Sequence, residues 1–208
     1  MSSYWNSRTA GSGYADDYHM NHHSKQNVQV TSDFLKSLDT ELKTLLKTFN
    51  KIIEIGCGTG EFLYMLTDYT HDDCKKIGCD ISELAIKYAN ALYSTENIKY
   101  KVLDLLKNND DEFNNSDLII CSNTLEHFKN PYVLIEKFKQ YATYCLILVP
   151  FNQTPMTDGY SEEGGAGHVF QFVENSFKDY TIVKEFKFYT SGWTCGIKPL
   201  QWAVLIKF

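Results

Sequence analysis

Three glycines at every second position follow a short apolar run, and this pattern indicates a site for a nucleotide-like ligand. Residues 52–55 include three isoleucines and predict a short buried strand. Gly56, Gly58 and Gly60 lack a Cβ, so the chain can turn tightly there and a ligand can approach the backbone. Apolar residues return at helical spacing from residue 61 onward. Together a strand, a glycine turn and a helix N-terminus form a binding edge of nucleotide size with free N–H groups.

The spacing of this loop and the acid before it separate two ligand classes. A dinucleotide fingerprint has the spacing G-x-G-x-x-G, with a pyrophosphate at the helix N-terminus. Here the spacing is G-x-G-x-G, and Glu54 lies two residues before the first glycine. A carboxylate there would repel a pyrophosphate but suits a ligand with an ammonium group, such as S-adenosylmethionine. The segment E-I-G-C-G-T-G, which includes Cys57, resembles the first motif of the class I S-adenosylmethionine-dependent methyltransferases. Alone, the loop also fits a generic Rossmann turn.

Two further acids follow the next predicted strands. The second strand ends at Asp80, about 20 residues past the last glycine, where nucleotide-binding βαβ units hold ribose hydroxyls. A helix N-cap is the alternative for Asp80, although Ser82 can supply that cap. The third strand leads to Asp104 and Leu105, and the family resemblance implies that Asp104 accepts a hydrogen bond from the adenine amino group. A surface aspartate is the alternative. Ile81 would lie against the adenine face, and we include Leu105 among the cofactor contacts.

The fourth predicted strand leads into residues 122–131, S-N-T-L-E-H-F-K-N-P. The triplet L-E-H, followed by a short spacer and proline, resembles the segment after the fourth strand of small-molecule methyltransferases, including the ubiquinone-pathway O-methyltransferases. The resemblance implies that this segment borders the acceptor pocket and, at Ser122 and Asn123, the methionine end of the cofactor. Four features at the carboxyl ends of strands thus converge on one crevice, where open α/β sheets bind ligands.

Glu126, His127 and His168 are the candidates for the chemistry. Attack on the methyl group of a sulfonium is an in-line displacement, so positioning and a dry site supply most of the rate. An oxygen acceptor must lose a proton, and His127 or His168 is the natural base near neutral pH. His168 resembles the acceptor-side histidine of the same family, and Glu126 would orient the cofactor-side loop or the histidine. A histidine that only pairs with backbone is the alternative for His127.

A divalent cation held by the same three residues is a further interpretation that the ubiquinone-pathway resemblance allows. Asn123 stands where those proteins place another acid, which weakens the site for a hard cation. We therefore predict no metal, and we keep the metal site as an alternative.

The elements that must position these residues alternate between strand and helix patterns through residues 51–150. Two closing strands, predicted at 180–189 and 200–208, resemble the antiparallel hairpin of the class I fold. The sequence therefore predicts an α/β fold: a Rossmann-like, doubly wound, seven-stranded sheet that is mostly parallel and ends in a C-terminal antiparallel hairpin.

We predict a single domain, 1–208, whose cofactor-binding half is 51–150. The remainder, 151–208, carries an acceptor-side loop and the closing hairpin. Residues 1–30 are predicted to form an N-terminal arm or a lid over the cleft, followed by a helix that begins at Asp33.

Composition excludes several classes of protein. Hydrophobic residues at 43% and aromatic residues at 14% are typical of a globular protein. No apolar run approaches the roughly 20 residues of a membrane span, and the N-terminus lacks the apolar core of a signal peptide. Six cysteines without a C-x-x-C pair indicate reduced thiols and a cytoplasmic location. A net charge of −6 disfavours a nucleic-acid partner, whose phosphates require a basic face.

The function predicted from these observations is methyl transfer from S-adenosylmethionine to a small-molecule acceptor, with S-adenosylhomocysteine as the product. An oxygen acceptor is favoured over nitrogen. Two alternatives stay open: a methyltransferase for protein or RNA, which the acidic charge disfavours, and a catalytically silent subunit that binds S-adenosylmethionine. Neither the identity of the acceptor nor the oligomeric state can be predicted from the sequence.

Overall fold

A computed structural model describes residues 17–105, 107–154, 168–191 and 199–208, and the side chains from residue 23 onward. The described strands, in chain order, are β1 (Lys51–Ile55), β2 (Lys75–Asp80), β3 (Ile98–Val102), β4 (Ser116–Ser122), β5 (Ala142–Pro150), β6 (Thr181–Tyr189) and β7 (Leu200–Lys207). The α-helices are α1 (Asp17–Ser37), α2 (Thr40–Leu46), α3 (Glu61–Met65), α4 (Glu83–Tyr93) and α5 (Tyr132–Phe138). Three short 3-10 helices cover Leu66–Tyr69, Asp111–Phe113 and Leu125–His127.

All seven strands form one sheet in the order β3-β2-β1-β4-β5-β7-β6. The first five strands pair in parallel, whereas β7 pairs antiparallel with both β5 and β6. The predicted doubly wound sheet with a closing antiparallel hairpin is confirmed. Because the strand order reverses between β1 and β4, the crevice at the carboxyl ends of these two strands is where a ligand is expected.

Alternate residues of the central strands face two separate apolar cores. Ile52 and Leu118 pack with Phe34 of α1 on one face, while Ile53 and Ile119 pack with α5 on the other. Side chains two positions apart on a strand point to the same face of the sheet. Glu54 lies two positions after Ile52, and Ser122 lies four positions after Leu118. The side chains of Glu54 and Ser122 therefore point to the face that α1 covers.

Helix α1 begins at Asp17, so the second half of the segment predicted as an arm is helical, and the predicted start at Asp33 is wrong. Val30, Phe34 and Leu35 are buried and form the apolar face of this helix. The helix stops because Asp39 caps α2 by accepting a hydrogen bond from the Leu42 N–H (2.9 Å).

Other predictions concern segments that the structure leaves undescribed. Three segments lie outside the described residues: 1–16 of the predicted arm, 155–167 of the predicted acceptor-side loop, and 192–198 between the two closing strands. Within the described part of the chain, none of the helices has the length and apolar character needed to cross a membrane.

Candidate active site

The glycine loop is held between β2 and the segment after β4. The N–H groups of Gly56 and Cys57 both donate to the Cys79 carbonyl, at 2.8 and 3.0 Å. Gly56 has φ 75°, and a Cβ there would lie 2.3 Å from the Thr124 hydroxyl oxygen. Gly60 precedes α3 with φ 92°. Only glycine fits these two positions without strain, because the left-handed region and the close approach both exclude a side chain.

A pocket opens between α1 and the carboxyl ends of β1 and β4. Its lining comes from α1, the glycine loop and the chain after β4: Asn27, Val30, Thr31, Glu54, Gly56, Cys57, Glu61, Phe62, Ser122 and Asn123. Five of these ten residues were predicted to contact the cofactor. The structure therefore brings the start of the glycine loop and the end of β4 together, as the sequence indicated.

Two buried oxygen atoms in this pocket have no hydrogen-bond partner among the described residues. They are Oε2 of Glu54, which is 2% exposed, and Oδ1 of Asn123. Burial, followed by the nearby Glu61 and Asp80 carboxylates, raises the pKa of Glu54 well above its usual range. Asn123 adopts a left-handed conformation with φ 47°. Unpaired acceptors of this kind fit a ligand that offers several N–H donors, such as an ammonium group.

Glu61 is a second buried carboxylate at the pocket, and sequence reasoning missed its role. The hydroxyls of Ser24 and Thr59 donate to its two oxygens, the second at 2.7 Å, and Asn27 Nδ2 donates to Oε2 at 3.4 Å. Burial raises the pKa of Glu61, although these hydrogen bonds oppose the shift. Since Ser24 and Asn27 belong to α1, the contact holds that helix over the glycine loop. An acid just after Gly60 was the only signal in the sequence.

Asp80 binds the backbone of the glycine loop. Its carboxylate accepts hydrogen bonds from the N–H of Gly58 (3.0 Å) and of Ser82 (2.8 Å). Burial raises the pKa of Asp80 against the effect of these N–H groups. Ser82 caps α4 by accepting from the Ala85 N–H at 3.2 Å, so Asp80 is not the helix cap. Each carboxylate oxygen keeps acceptor capacity beyond one hydrogen bond, which leaves the predicted ribose role chemically open.

Asp104 lies next along this edge of the sheet. The first residue after β3 donates its N–H to the Asp80 carbonyl (2.9 Å), which sets the two segments side by side. The Asp104 carboxylate forms an ion pair with Lys107 at 2.9 Å, and Lys107 is exposed. Such an exposed pair is worth at most about 1 kcal/mol, so a ligand can compete for the carboxylate. Ile81 is half-buried and Leu105 is buried. The adenine contact stays a prediction.

Glu126, His127 and His168, the three residues predicted for the chemistry, lie together in one cluster. The rings of the two histidines lie edge to face with centroids 5.1 Å apart, and His168 Nε2 is 3.8 Å from Glu126 Oε1. Two backbone bonds link the segments, because the N–H groups of Val169 and Phe170 donate to the Glu126 carbonyl at 2.8 and 3.1 Å. The structure thus unites three residues that lie up to 42 positions apart in the sequence.

Burial sets the charge of this cluster. Glu126 is 1% exposed, and neither of its carboxyl oxygens has a hydrogen-bond partner among the described residues. Burial raises the pKa of Glu126 to about 8 and lowers the pKa of His168 to about 4. Both side chains are therefore neutral near pH 7 in the ligand-free protein, and His168 has a nitrogen able to accept a proton.

Replacing Glu126 by glutamine is expected to stabilise the protein at high pH. The folded-state pKa of about 8 lies above the usual value. The wild type therefore loses stability as pH rises from about 4.3, the value of an unfolded glutamate, through the folded pKa. The amide has no proton to lose. We expect the difference in free energy of unfolding, variant minus wild type, to grow by several kcal/mol between pH 5 and pH 9.

Urea denaturation at both pH values measures this difference, and Glu96→Gln, at an exposed acid, is the control. A difference that is the same at pH 5 and pH 9 would show that Glu126 titrates normally.

Comparison with known proteins gives one sequence match and many structural ones. Residues 53–143 match the family model described as "Methyltransferase domain". This range lies inside residues 52–150, over which the sequence motifs resemble methyltransferases. No curated protein sequence matches the chain.

Three solved structures illustrate the structural similarity. The magnesium protoporphyrin IX methyltransferase of Synechocystis PCC 6803, with S-adenosylhomocysteine bound, has a TM-score of 0.62 at 17% identity and covers 98% of this chain and 96% of its own. A Haloferax volcanii putative methyltransferase in complex with the Trm112 activator has a TM-score of 0.63 at 10% identity, over 90% and 93%. The N-terminal domain of EvdMO1, with S-adenosylhomocysteine and D-fucose, has a TM-score of 0.59 at 14% identity, over 92% and 97%. At these identities the likeness shows a shared fold.

Proposed function

We propose that this chain methylates a hydroxyl group of a small molecule. It is an enzyme with S-adenosylmethionine as cofactor, and its residues 53–143 match a methyltransferase domain. When bound, S-adenosylmethionine supplies a methyl group on a positively charged sulfur and leaves as S-adenosylhomocysteine. The observation that carries the proposal is the pocket in which Oε2 of Glu54 and Oδ1 of Asn123 are buried acceptors without a partner among the described residues.

The residues around this pocket fit the chemical parts of such a cofactor. Glu54 and Asn123 would accept hydrogen bonds from the ammonium group, which carries three donors and a positive charge. Asp80 would accept hydrogen bonds from ribose hydroxyls while it holds the Gly58 and Ser82 N–H groups. Asp104 would accept from the adenine amino group, with Ile81 and Leu105 beside the ring. Gly56 and Gly58 allow the ligand to approach the backbone closely.

The acceptor cluster supports an oxygen nucleophile. A hydroxyl must lose its proton as it gains the methyl group, and His168 is neutral at physiological pH because burial lowers its pKa to about 4. The Glu126 carboxyl beside it would stabilise the resulting imidazolium once it is ionised. A small molecule is supported by the net charge of −6, which disfavours polyanions. It is also supported by two similar structures, one of a magnesium protoporphyrin IX methyltransferase and one in the presence of D-fucose.

A metal-dependent variant of this chemistry is favoured by one observation. Glu126, His127 and His168 can each direct a ligand atom to within 4.8 Å of the others. One carboxylate and two imidazoles suit a cation such as Zn²⁺ better than a hard cation, and Asn123 replaces the acid that would improve a hard-cation site. In this variant the three residues would hold the cation and would not accept the proton themselves.

We expect isothermal titration to show binding of S-adenosylmethionine and no binding of NAD. An acceptor screen with labelled methyl groups, run with and without EDTA, would then compare phenols, sugars, carboxylic acids, amines, basic peptides and RNA. Turnover of a hydroxyl acceptor that EDTA does not change is the expected result. Binding of NAD in place of S-adenosylmethionine would overturn the cofactor assignment, and loss of turnover with EDTA would replace the general-base chemistry by the metal-dependent one.

Two other functions predict different outcomes in the same screen. A macromolecular methyltransferase would label basic peptides or RNA. A silent cofactor-binding subunit would bind S-adenosylmethionine without turnover on any acceptor. The finer resemblance to ubiquinone-pathway O-methyltransferases stays a prediction, and so does a cytoplasmic location.

A further inference from the structure

One hydrogen bond determines which nitrogen of the His168 ring carries the proton. His168 Nδ1 lies 2.9 Å from Oε1 of Gln153. An amide carbonyl oxygen can only accept, so the ring nitrogen that faces it must be the donor. In a neutral imidazole one nitrogen is a donor and the other an acceptor. A proton on Nδ1 therefore makes Nε2 the acceptor nitrogen, and Nε2 faces Glu126 Oε1 at 3.8 Å.

We infer that Gln153 is a positioning residue that holds the neutral His168 ring in the tautomer with the proton on Nδ1, so that Nε2 is the atom that takes the acceptor proton. The role of Nε2 as the proton acceptor rests on the proposed function, whereas the tautomer does not. The acceptor oxygen gives its proton to Nε2 as it gains the methyl group, and the positive charge passes from sulfur to the imidazole ring. The Nδ1 proton stays in its hydrogen bond to Gln153 throughout.

The backbone around Gln153 explains how this contact is fixed. Just after β5, Phe151 and Phe172 form a bridge between the two segments, and the Asn152 N–H donates to the Phe172 carbonyl at 2.8 Å. Asn152 has φ 54°, which turns the chain directly before Gln153. The far segment is anchored as well, because the N–H of Val169 bonds to the Glu126 carbonyl. A backbone hydrogen bond of the neighbouring residue thus positions each partner: Asn152 for Gln153, and Val169 for His168.

The choice of a neutral amide at position 153 has a chemical consequence. A carboxylate in its place would also accept from Nδ1–H, but its charge would favour the imidazolium and raise the pKa of His168. An amide sets the same tautomer and leaves the ring neutral. Gln153→Glu should therefore keep the tautomer, whereas Gln153→Met, of similar length and without an acceptor oxygen, should lose it.

Nitrogen-15 NMR of the histidine rings tests the inference without any need for turnover. His168→Asn assigns the signals, since only the His168 ring disappears. We expect Nδ1 to be protonated in the wild type and in Gln153→Glu, and a shift toward the Nε2-protonated form in Gln153→Met. Gln171→Met is the matched control, because the Gln171 amide donates to Asn152 Oδ1 at 3.0 Å in the same segment. It should leave the tautomer unchanged.

Turnover gives a second readout once an acceptor is known. Loss of the residue that fixes the tautomer of a catalytic histidine can cost up to about 10⁴-fold in kcat, so we expect kcat of Gln153→Met to fall at least about tenfold with an unchanged Kd for S-adenosylmethionine. A wild-type ring protonated on Nε2, or a Gln153→Met ring that keeps Nδ1 protonated, would overturn the inference. The expected tautomers without turnover on any acceptor would overturn only the proposed function.

Discussion

Replacement of Glu54 by glutamine is expected to weaken S-adenosylmethionine binding on the order of 100-fold. The loss of one partner of a buried charge pair typically costs about 2–5 kcal/mol, and about 1.4 kcal/mol is a factor of ten. Glu54 has a buried Oε2 with no partner among the described residues, and this atom would face the ammonium group. The glutamine amide has the same shape but no negative charge. Isothermal titration at pH 8 measures the change in Kd.

A second observable separates this role from a general effect on the fold. Burial and the neighbouring Glu61 and Asp80 carboxylates raise the pKa of Glu54 and so favour its protonated form in the free protein, while a bound ammonium group favours the carboxylate. Binding should therefore release a proton and tighten as pH rises toward the Glu54 pKa. Glu54→Gln should release none and should be at least as stable as the wild type. Glu96→Gln is the control for affinity. An unchanged Kd for Glu54→Gln would remove Glu54 from the site.

Replacement of His168 by asparagine is expected to lower kcat by about 10²- to 10⁴-fold, the usual contribution of a general base. The Kd for S-adenosylmethionine should stay within about twofold, because His168 does not line the cofactor pocket. Initial rates of methyl transfer to the acceptor found in the screen measure the effect.

His127→Asn is the matched comparison for this prediction. The His127 ring is half-buried and packs edge to face with the His168 ring. His168 is buried, and its Nδ1 is hydrogen-bonded to Gln153. We therefore expect a loss of less than tenfold for His127→Asn. A larger loss in His127→Asn than in His168→Asn would assign the base to His127. Wild-type rates in both variants would rule out general-base catalysis by either histidine.

Local patterns predicted the sheet and the carboxyl-end crevice. The apolar strand, the alternate glycines and the acid at the end of β2 are short-range signals, and each fixes an element together with the position of its functional side chain. Strand ends meet at one edge of a parallel sheet, so Glu54, Asp80 and Asp104 come close together without any need to know the loops. The parallel, doubly wound part of the sheet followed from the alternation of strand and helix patterns, and the closing hairpin followed from the family resemblance.

Contacts between distant elements explain what the sequence could not predict. Glu61 is held by Ser24 and Asn27, and these two lie in a polar segment that has no motif. Nothing local indicates that α1 extends back to Asp17, because its stability comes from the packing of Phe34 and its neighbours against the sheet. The role of Gln153 could not be predicted for the same reason, since its partner His168 lies 15 positions away in the sequence.

Burial also shifts the pKa values of Glu126 and His168, which the sequence does not predict. From the sequence, His168 was predicted as a base near neutral pH and Glu126 as an orienting residue. Only the structure shows that burial raises the pKa of Glu126 to about 8 and lowers that of His168 to about 4. Desolvation depends on which side chains cover a group, and the covering chain is assembled by tertiary packing.

A crystal structure of the protein with S-adenosylhomocysteine bound tests the central proposal most directly. We predict the amino group within hydrogen-bond distance of Glu54 and Asn123, the ribose hydroxyls on Asp80, and the adenine amino group on Asp104. The proposal would be contradicted by an empty pocket at saturating ligand, or by a bound ligand that leaves Asp80 in contact with Gly58 and Ser82 alone and Asp104 still paired with Lys107.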